Sequence, residues 1–450
     1  MTFRILLLVV LSLAGGCARE IGRPNVILIS MDTTRADHLG VYGYERETTP
    51  NLSRLAGEGV VFEQAYTQAP WTVASHMSVF TSLYPPVHKV AHLTPQSATV
   101  KLLPELLHDA GYSTAGFVAP VLDGYGFAKG FDHYAHPHRY RSAEIMIHQA
   151  LEWLAGDPNK PALRGQPFFI FLHLFDPHHT YDPPWPFDTA FLSSYRENIL
   201  ELSASHPFTQ EKDLSPDELF EVVGLYDGEI AYTDWALGRF FDELKELGVY
   251  DNTLIALMGD HGEGFLEHGL MNHGNSVYEE LGRIPLILRF PDGRFRGRRV
   301  KSPVRLIDLT PTILDYLREG QPVFSQGLSL LAGIERDEPG TDPVFTYVGY
   351  SESIRDGSWK LIRNPPYRTK MIPRSAKTNY ELFDLANDPE EKYNLAAENP
   401  EEVERLARAM ERMDEANQEI GDRINAELDV QPMELTEEQK ERLRALGYIQ

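Results

Sequence analysis

Asn25-Val-Ile-Leu-Ile-Ser30 leads directly into Met31-Asp-Thr-Thr-Arg-Ala-Asp-His-Leu-Gly40, and this junction decides the fold. A short, nearly continuous apolar run reads as a strand covered on both faces, where a half-buried strand would alternate. Similar runs recur at Phe168-Phe-Ile-Phe-Leu172, Thr253-Leu-Ile-Ala-Leu257 and Ile284-Pro-Leu-Ile-Leu-Arg289. Helical stretches lie between them, at Ser142 to Leu154 and Pro216 to Leu247. Strands alternating with helices predict an α/β domain, a large mostly parallel sheet flanked by helices. Ligands of such sheets sit beyond the carboxyl ends of the strands, so the loops after these runs are where chemistry is expected.

Outward from this core the chain changes character twice. At the start, Met1-Thr-Phe-Arg4 precedes an apolar stretch from Ile5 to Ala14 and then Leu13-Ala-Gly-Gly-Cys17. The run is too short for a mature membrane span and fits a secretory signal over residues 1–17. Cys17, the single cysteine, reads as the acylated residue of a lipoprotein; the alternative is an ordinary signal cut nearby. Either way the protein is expected to be exported, periplasmic or in the cell envelope, with membrane contact only through a lipid at Cys17. In the last third, Val344 to Tyr350 and Trp359-Lys-Leu-Ile-Arg363 read as strands, and Pro400 to Leu428 and Thr436 to Leu446 as helices. The expected division is a main domain over 24–335 and a smaller C-terminal α+β subdomain with a helical tail over 336–450.

The 450 residues, 42% of them hydrophobic, suffice for a large core. The net charge of −24 excludes nucleic acid held by general electrostatics. An anionic ester binds such a chain only where metal ions or local dipoles make a positive spot.

Three polar clusters are candidates for that spot. Asp32, at the mouth of the first strand, is placed to hold a divalent cation, although an Asp there more often caps a helix; Asp37 and His38 serve equally as caps. Met258-Gly-Asp-His-Gly-Glu-Gly264 sets Asp260 and His261 between glycines, which allow close backbone approach. Mixed oxygen and nitrogen donors suit zinc or manganese better than calcium. The third cluster, Ala69-Pro-Trp-Thr-Val-Ala-Ser-His-Met-Ser78, opens a helix expected from about Thr72 to Leu83. A hydroxyl there is either an N-cap or core filler, or a nucleophile whose anionic substrate faces the helix N-terminus.

Taken together and in order, these clusters resemble the sulfatases and their phosphoesterase relatives in the alkaline phosphatase superfamily. The resemblance extends through Ser82-Leu-Tyr-Pro85, Gly111-Tyr-Ser-Thr114, Phe175-Asp-Pro-His-His-Thr-Tyr181, Tyr278-Glu-Glu280, Arg283-Ile-Pro285, Tyr380-Glu-Leu-Phe-Asp-Leu385 and Asp388-Pro389 to Asn394-Leu395. It implies an alkaline phosphatase-like fold and a metal-dependent ester hydrolase. Asp32, Asp260 and His261 fall at metal-ligand positions, and Thr72 at the nucleophile, which also touches the metal. His178 matches a histidine that contacts the substrate's charged group or protonates the leaving oxygen. His273 falls where many sulfatases keep a substrate-binding lysine, and His76 where they keep an arginine. Asp176, His179, His268 and His273 are spare candidates for a second ion.

The departures from the family pattern bear on the substrate. Sulfatases oxidise a Cys or Ser to formylglycine; here the position is Thr72, and no cysteine follows Cys17, so no formylglycine is expected. Thr33 stands where a second metal aspartate is common, and Ala119 near a usual lysine. A formylglycine hydrate expels sulfate by re-forming its aldehyde, an exit that a Thr-sulfate lacks. A Thr-phosphate can be hydrolysed by a metal-activated water. The expectation is therefore a phosphoesterase dependent on manganese, zinc or calcium, acting on a small-molecule, glycan or lipid-headgroup ester. A sulfatase working without formylglycine is the alternative; a non-catalytic binder of anionic ligands or a headgroup transferase stands behind it. The motif-free loops Asp123 to Tyr140 and Tyr181 to Pro207 are expected to set specificity, and the sequence is silent on oligomeric state.

Overall fold

A computed structural model describes residues 23–90, 100–123, 125–135, 142–156, 166–193, 214–336, 343–349, 351–364, 380–427 and 437. The leader with Cys17, most of the helix expected from Thr436 to Leu446, and parts of both motif-free loops lie outside these residues. Among the described residues, no helix is long and apolar enough to cross a membrane.

The expected apolar runs become adjacent strands of one eight-stranded sheet. Its order is Arg298–Val300, Val60–Phe62, Leu286–Arg289, Thr253–Gly259, Asn25–Met31, Phe168–Leu174, Ser113–Phe117 and His133–Ala135. Leu286–Arg289 is antiparallel to both neighbours; the other pairings are parallel. Side-chain alternation explains why the runs are continuous. Val26, Leu28, Phe169, Phe171, Leu254 and Ala256 enter one core with the helices Thr72–Thr81, Leu103–Asp109 and Leu309–Leu317. Ile27, Ile29, Ile170, Leu172, Ile255 and Leu257 enter the other, beneath Pro50–Gly57, Ala143–Ala155 and Pro216–Glu246. Both faces are dry, so neither tolerates the polar half of an alternating pattern.

Register then positions the chemistry. Met31 lies opposite Leu174 on one side and Gly259 on the other. The next residues, Asp32, Phe175 and Asp260, therefore leave the sheet at one level. The helix Thr72–Thr81 ends earlier than its apolar pattern suggests, because Ser82 adopts a left-handed conformation with φ of 60°. The longest helix starts where its sequence says it should: Ser215 and Glu218 form a capping box, with Pro216 at the first turn.

The C-terminal part is an antiparallel sheet of Val344–Val348, Ser351–Asp356, Trp359–Arg363 and Tyr380–Asp384. Phe345, Ile354, Leu361 and Leu382 pack with Leu406 and Met410 of the helix Pro400–Glu427, and with Tyr84 and Ile307 of the main domain. Ile362 and Phe383 pack with Val277 and Tyr278. A buried charge cluster ties this junction. Lys360 Nζ meets Glu279 Oε1 at 3.0 Å and Glu391 Oε1 at 2.8 Å, and Glu391 Oε2 accepts the Glu279 N–H at 2.6 Å. Removing one partner of a buried ion pair strands the other charge, at about 3 kcal/mol or more. Lys360→Met is expected to lower unfolding stability by about that amount in urea titrations. An unchanged midpoint would mean that a proton neutralises Glu391, whose carboxyl burial pushes up to about 7.

Candidate active site

The three clusters meet at the carboxyl ends of the central strands. Asp32, Thr72, Asp260 and His261 are all fully buried. Ligand atoms of Asp32, Asp260 and His261 lie within 4.8 Å of one another. Thr72 Oγ1 is 3.2 Å from His261 Nε2. The His261 Nδ1–H donates to the Gly262 carbonyl at 2.9 Å, so the lone pair on Nε2 faces the threonine hydroxyl and the carboxylates. Gly262 is required for this turn: a Cβ there would stand 1.9 Å from the Glu280 carbonyl oxygen.

Thr72 does not cap its helix. Trp71 holds the N-cap position without a side-chain cap bond, and the Thr72 hydroxyl is turned toward the cluster. The backbone beneath the site is held with equal care. Asp260 Oδ1 accepts the N–H groups of Thr33 at 3.0 Å and His261 at 2.9 Å. Thr33 sits at a φ of 50°, a sparsely populated region for a β-branched residue that marks strain at functional sites. Its hydroxyl donates to the Pro177 carbonyl at 2.8 Å.

Asp32 Oδ1 and Asp260 Oδ2 are buried without a hydrogen-bond donor, which is costly unless something positive meets them. Burial pushes the Asp32 carboxyl up to about 7, against the opposing pull of His261. Burial and then the neighbouring Asp32 charge raise Asp260 as well. The donor chemistry therefore fits a divalent metal held by Asp32, Asp260 and His261, with Thr72 beside it.

Sequence reasoning did not single out two neighbours. His173 Nε2 donates to Asp32 Oδ2 at 2.7 Å; it lies opposite Ser30 in register and interrupts an otherwise apolar run. Glu263, inside the Asp260-His-Gly-Glu stretch, accepts from His273 Nδ1 at 3.0 Å and from the Tyr181 hydroxyl at 3.0 Å. Burial raises its carboxyl to about 7.

The other expected residues divide into two groups. His178, His179 and His273 come together, with ligand nitrogens within 4.8 Å of one another. The rings of His273 and His261 are 4.5 Å apart, so this group adjoins the first. Gly274, at a φ of 73°, lets the chain pass under Trp71, whose ring would be 2.5 Å from a Cβ there. His178 Nδ1–H donates to the His179 carbonyl at 2.6 Å, and burial holds its pKa well below the usual histidine value. A neutral ring of this tautomer carries its lone pair on Nε2, which suits contact with a positive centre better than protonation of a leaving group. His76 is buried behind Thr72: its Nδ1–H donates to the Thr72 carbonyl at 2.7 Å, and its Nε2 accepts from Ser30 Oγ at 2.9 Å.

Two spare candidates lie elsewhere. Asp176 accepts the Ala143 N–H at 2.9 Å at the start of a helix, and His268 pairs with Glu280 at 2.9 Å and stacks on Tyr278. Asp37 pairs with Arg35, and His38 with Asp227 at 2.7 Å. Ala119 is buried in the core beneath the Thr72 helix.

A carboxylate, imidazole and hydroxyl cluster at the carboxyl end of a doubly covered, mostly parallel sheet defines an ester hydrolase of the alkaline phosphatase-like kind. A family model for sulfatases matches residues 24–319, and a model for the C-terminal part of N-sulphoglucosamine sulphohydrolase matches residues 266–419. The chain belongs to the sulfatase family. An arylsulfatase of Clostridium perfringens is 25% identical, over 83% of this chain and 90% of that protein. Among solved structures, the phosphonate monoester hydrolase of Agrobacterium radiobacter superposes with a TM-score of 0.71 at 22% identity, covering 88% of this chain and 96% of that one. A protein solved with its substrate D-glucosamine-2-N,6-O-disulfate superposes with a TM-score of 0.72 at 19% identity, covering 88% and 98%.

Proposed function

We propose that the protein is a metal-dependent phosphoesterase in which Thr72 is the nucleophile. The observation that carries this reading is the 3.2 Å approach of Thr72 Oγ1 to His261 Nε2, at an uncapped helix N-terminus and beside two buried carboxylate oxygens without donors. Asp32, Asp260, His261 and Thr72 would hold the ion. When bound, a divalent cation offsets the two carboxylates, lowers the pKa of the threonine hydroxyl and of water, and takes up charge on an ester oxygen.

The residues of the chain do the rest. Thr72 Oγ1 attacks phosphorus and gives up its proton, the P–O bond to the ester oxygen breaks, and the leaving alcohol takes that proton as the Thr-phosphate forms. Water then cleaves the new P–O bond and restores the hydroxyl. The first-turn N–H groups of the Thr72 helix face the anionic oxygens, where partial positive charge favours them. His76 fixes the first helical turn through the Thr72 carbonyl, and His173 holds Asp32. His178 and His273 border the cluster.

The second reading, a sulfatase acting without formylglycine, is favoured by the sulfatase family match over 24–319. Phosphate is preferred because threonine offers a sulfate no aldehyde-forming exit. The test is a parallel assay of purified protein on p-nitrophenyl sulfate, p-nitrophenyl phosphate and bis-p-nitrophenyl phosphate, with and without manganese or zinc. Metal-stimulated turnover of a phosphate ester is expected. Turnover of the sulfate alone would overturn the proposal in favour of the second reading.

A further inference from the structure

We propose that His268 is a positioning residue: as an imidazolium it fastens the tip of a hairpin beside the site to the C-terminal subdomain, and losing its proton loosens that tip. Its effect on turnover rests on the function proposed above; the fastening does not. Gly264–Phe265 pairs with Met271–Asn272, so the hairpin stands with Glu263 at one foot and His273 at the other. These two are bonded at 3.0 Å, and the His273 ring lies 4.5 Å from that of His261. What holds the tip therefore helps to set the wall of the site.

The tip needs an outside hold. Leu266, where the chain turns, sits at a φ of 70°, sparsely populated for a residue with a side chain. One hold is Arg35, which pairs with Glu267 from the loop that follows Asp32. The other is His268. Its Nδ1 is 2.9 Å from Glu280 Oε1, and its Nε2 is 3.3 Å from the Glu391 carbonyl oxygen of the C-terminal subdomain. A carbonyl and a carboxylate only accept, so both bonds exist together only when both ring nitrogens carry hydrogen. The ring also stacks on Tyr278, with centroids 3.7 Å apart and planes 7° from parallel, and an aromatic face favours a cation.

The charges around the ring set the direction of its response. Glu280 and Glu391 face it, Lys360 pairs with Glu391 and Glu279, Arg355 with Glu279, and Tyr278 donates to Glu381. Burial opposes the imidazolium, but the Glu280 carboxylate and then Glu391 outweigh it and raise the pKa above the ordinary 6.5. Ligand atoms of His268, Glu280 and Glu391 lie within 4.8 Å of one another, yet the Lys360 ammonium, 2.8 Å from Glu391 Oε1, already supplies a cation there. A histidine with a raised pKa stabilises in full below its ordinary value and loses that contribution as pH rises through the folded one. The tip is therefore held in mildly acidic solution and released in alkaline.

The test is hydrogen–deuterium exchange of residues 264–272 from about pH 6 to about pH 9, corrected for the intrinsic pH dependence of amide exchange. Wild-type protection is expected to fall about tenfold over that range, the scale of one charge-assisted hydrogen bond. His268→Gln should show the lower protection throughout. Glu280→Gln should move the fall to lower pH, because it removes the carboxylate that holds the proton. Glu391→Gln should keep the fall, since it retains the carbonyl and removes the other group that titrates at about 7. In kcat/KM for the phosphate ester, the advantage of wild type over His268→Gln should shrink across the same range. A fall shared by wild type and His268→Gln, one unmoved in Glu280→Gln, or a kcat/KM ratio independent of pH would overturn the proposal. Silence on every ester, with the exchange pattern intact, would sink the function reading and leave the fastening standing. Circular dichroism of each variant separates a loosened hairpin from a lost fold.

Discussion

Thr72→Ala is expected to reduce turnover of a phosphate ester by at least about 10³-fold, the scale on which removal of a nucleophile acts. Thr72→Ser should retain activity within about tenfold, because it keeps the attacking oxygen. The alanine change is chemically clean. The hydroxyl does not cap the helix, and its bonds run to His261 and Asp32, members of the same cluster. The helix is held instead by its apolar face and by His76, which bonds the Thr72 carbonyl rather than its side chain. The variant should therefore fold as wild type does and keep Asp32, Asp260 and His261 for the ion, and the main loss should fall on kcat. Turnover preserved in Thr72→Ala would assign the attack to water.

How far the sequence reached depended on what was local. The central strands were readable because both faces are dry, which turns each into an uninterrupted apolar run. Their ends were read short for the same reason: the run at Phe168 was closed at Leu172, yet the strand continues to Leu174. The residue skipped is His173, which holds Asp32. A histidine at the end of an apolar strand carries no local signal of its partner; only the register opposite Ser30 supplies it. Glu263 was similarly invisible as a functional group, since its two partners, Tyr181 and His273, come from other loops. Asp32 is the converse case. A cap is the commoner reading of an Asp in its place after a strand, and its buried Oδ1 without a donor supports the proposed ligand role. Asp176, a spare ligand candidate by sequence, takes the cap role instead.

The same geometry makes Asp260→Asn the sharpest test of the metal site. An asparagine keeps the Oδ1 that accepts from Thr33 and His261, so the turn should survive. It replaces Oδ2 by a donor where a cation is expected, 3.4 Å from His261 Nε2 and 3.7 Å from His76 Nδ1. Turnover should fall by about 10³-fold or more, as for loss of a group that acts as part of a unit. Ligand linkage supplies an independent readout. A metal present at a thousand times its Kd stabilises the folded state by about 4 kcal/mol, so manganese or zinc should raise the wild-type melting temperature by several degrees and the variant's far less. Without metal the order reverses. Both carboxyls have folded pKa values above the ordinary 3.8, Asp32 at about 7, so the folded protein holds protons that the unfolded chain releases. The stability of the metal-free wild type therefore falls as pH rises from about 4 through 7. The variant lacks one of the two raised groups. It should be the more stable protein above about pH 7 in chelator, with the difference shrinking toward pH 4. Equal metal-induced shifts in wild type and variant would place the ion elsewhere, however complete the loss of activity.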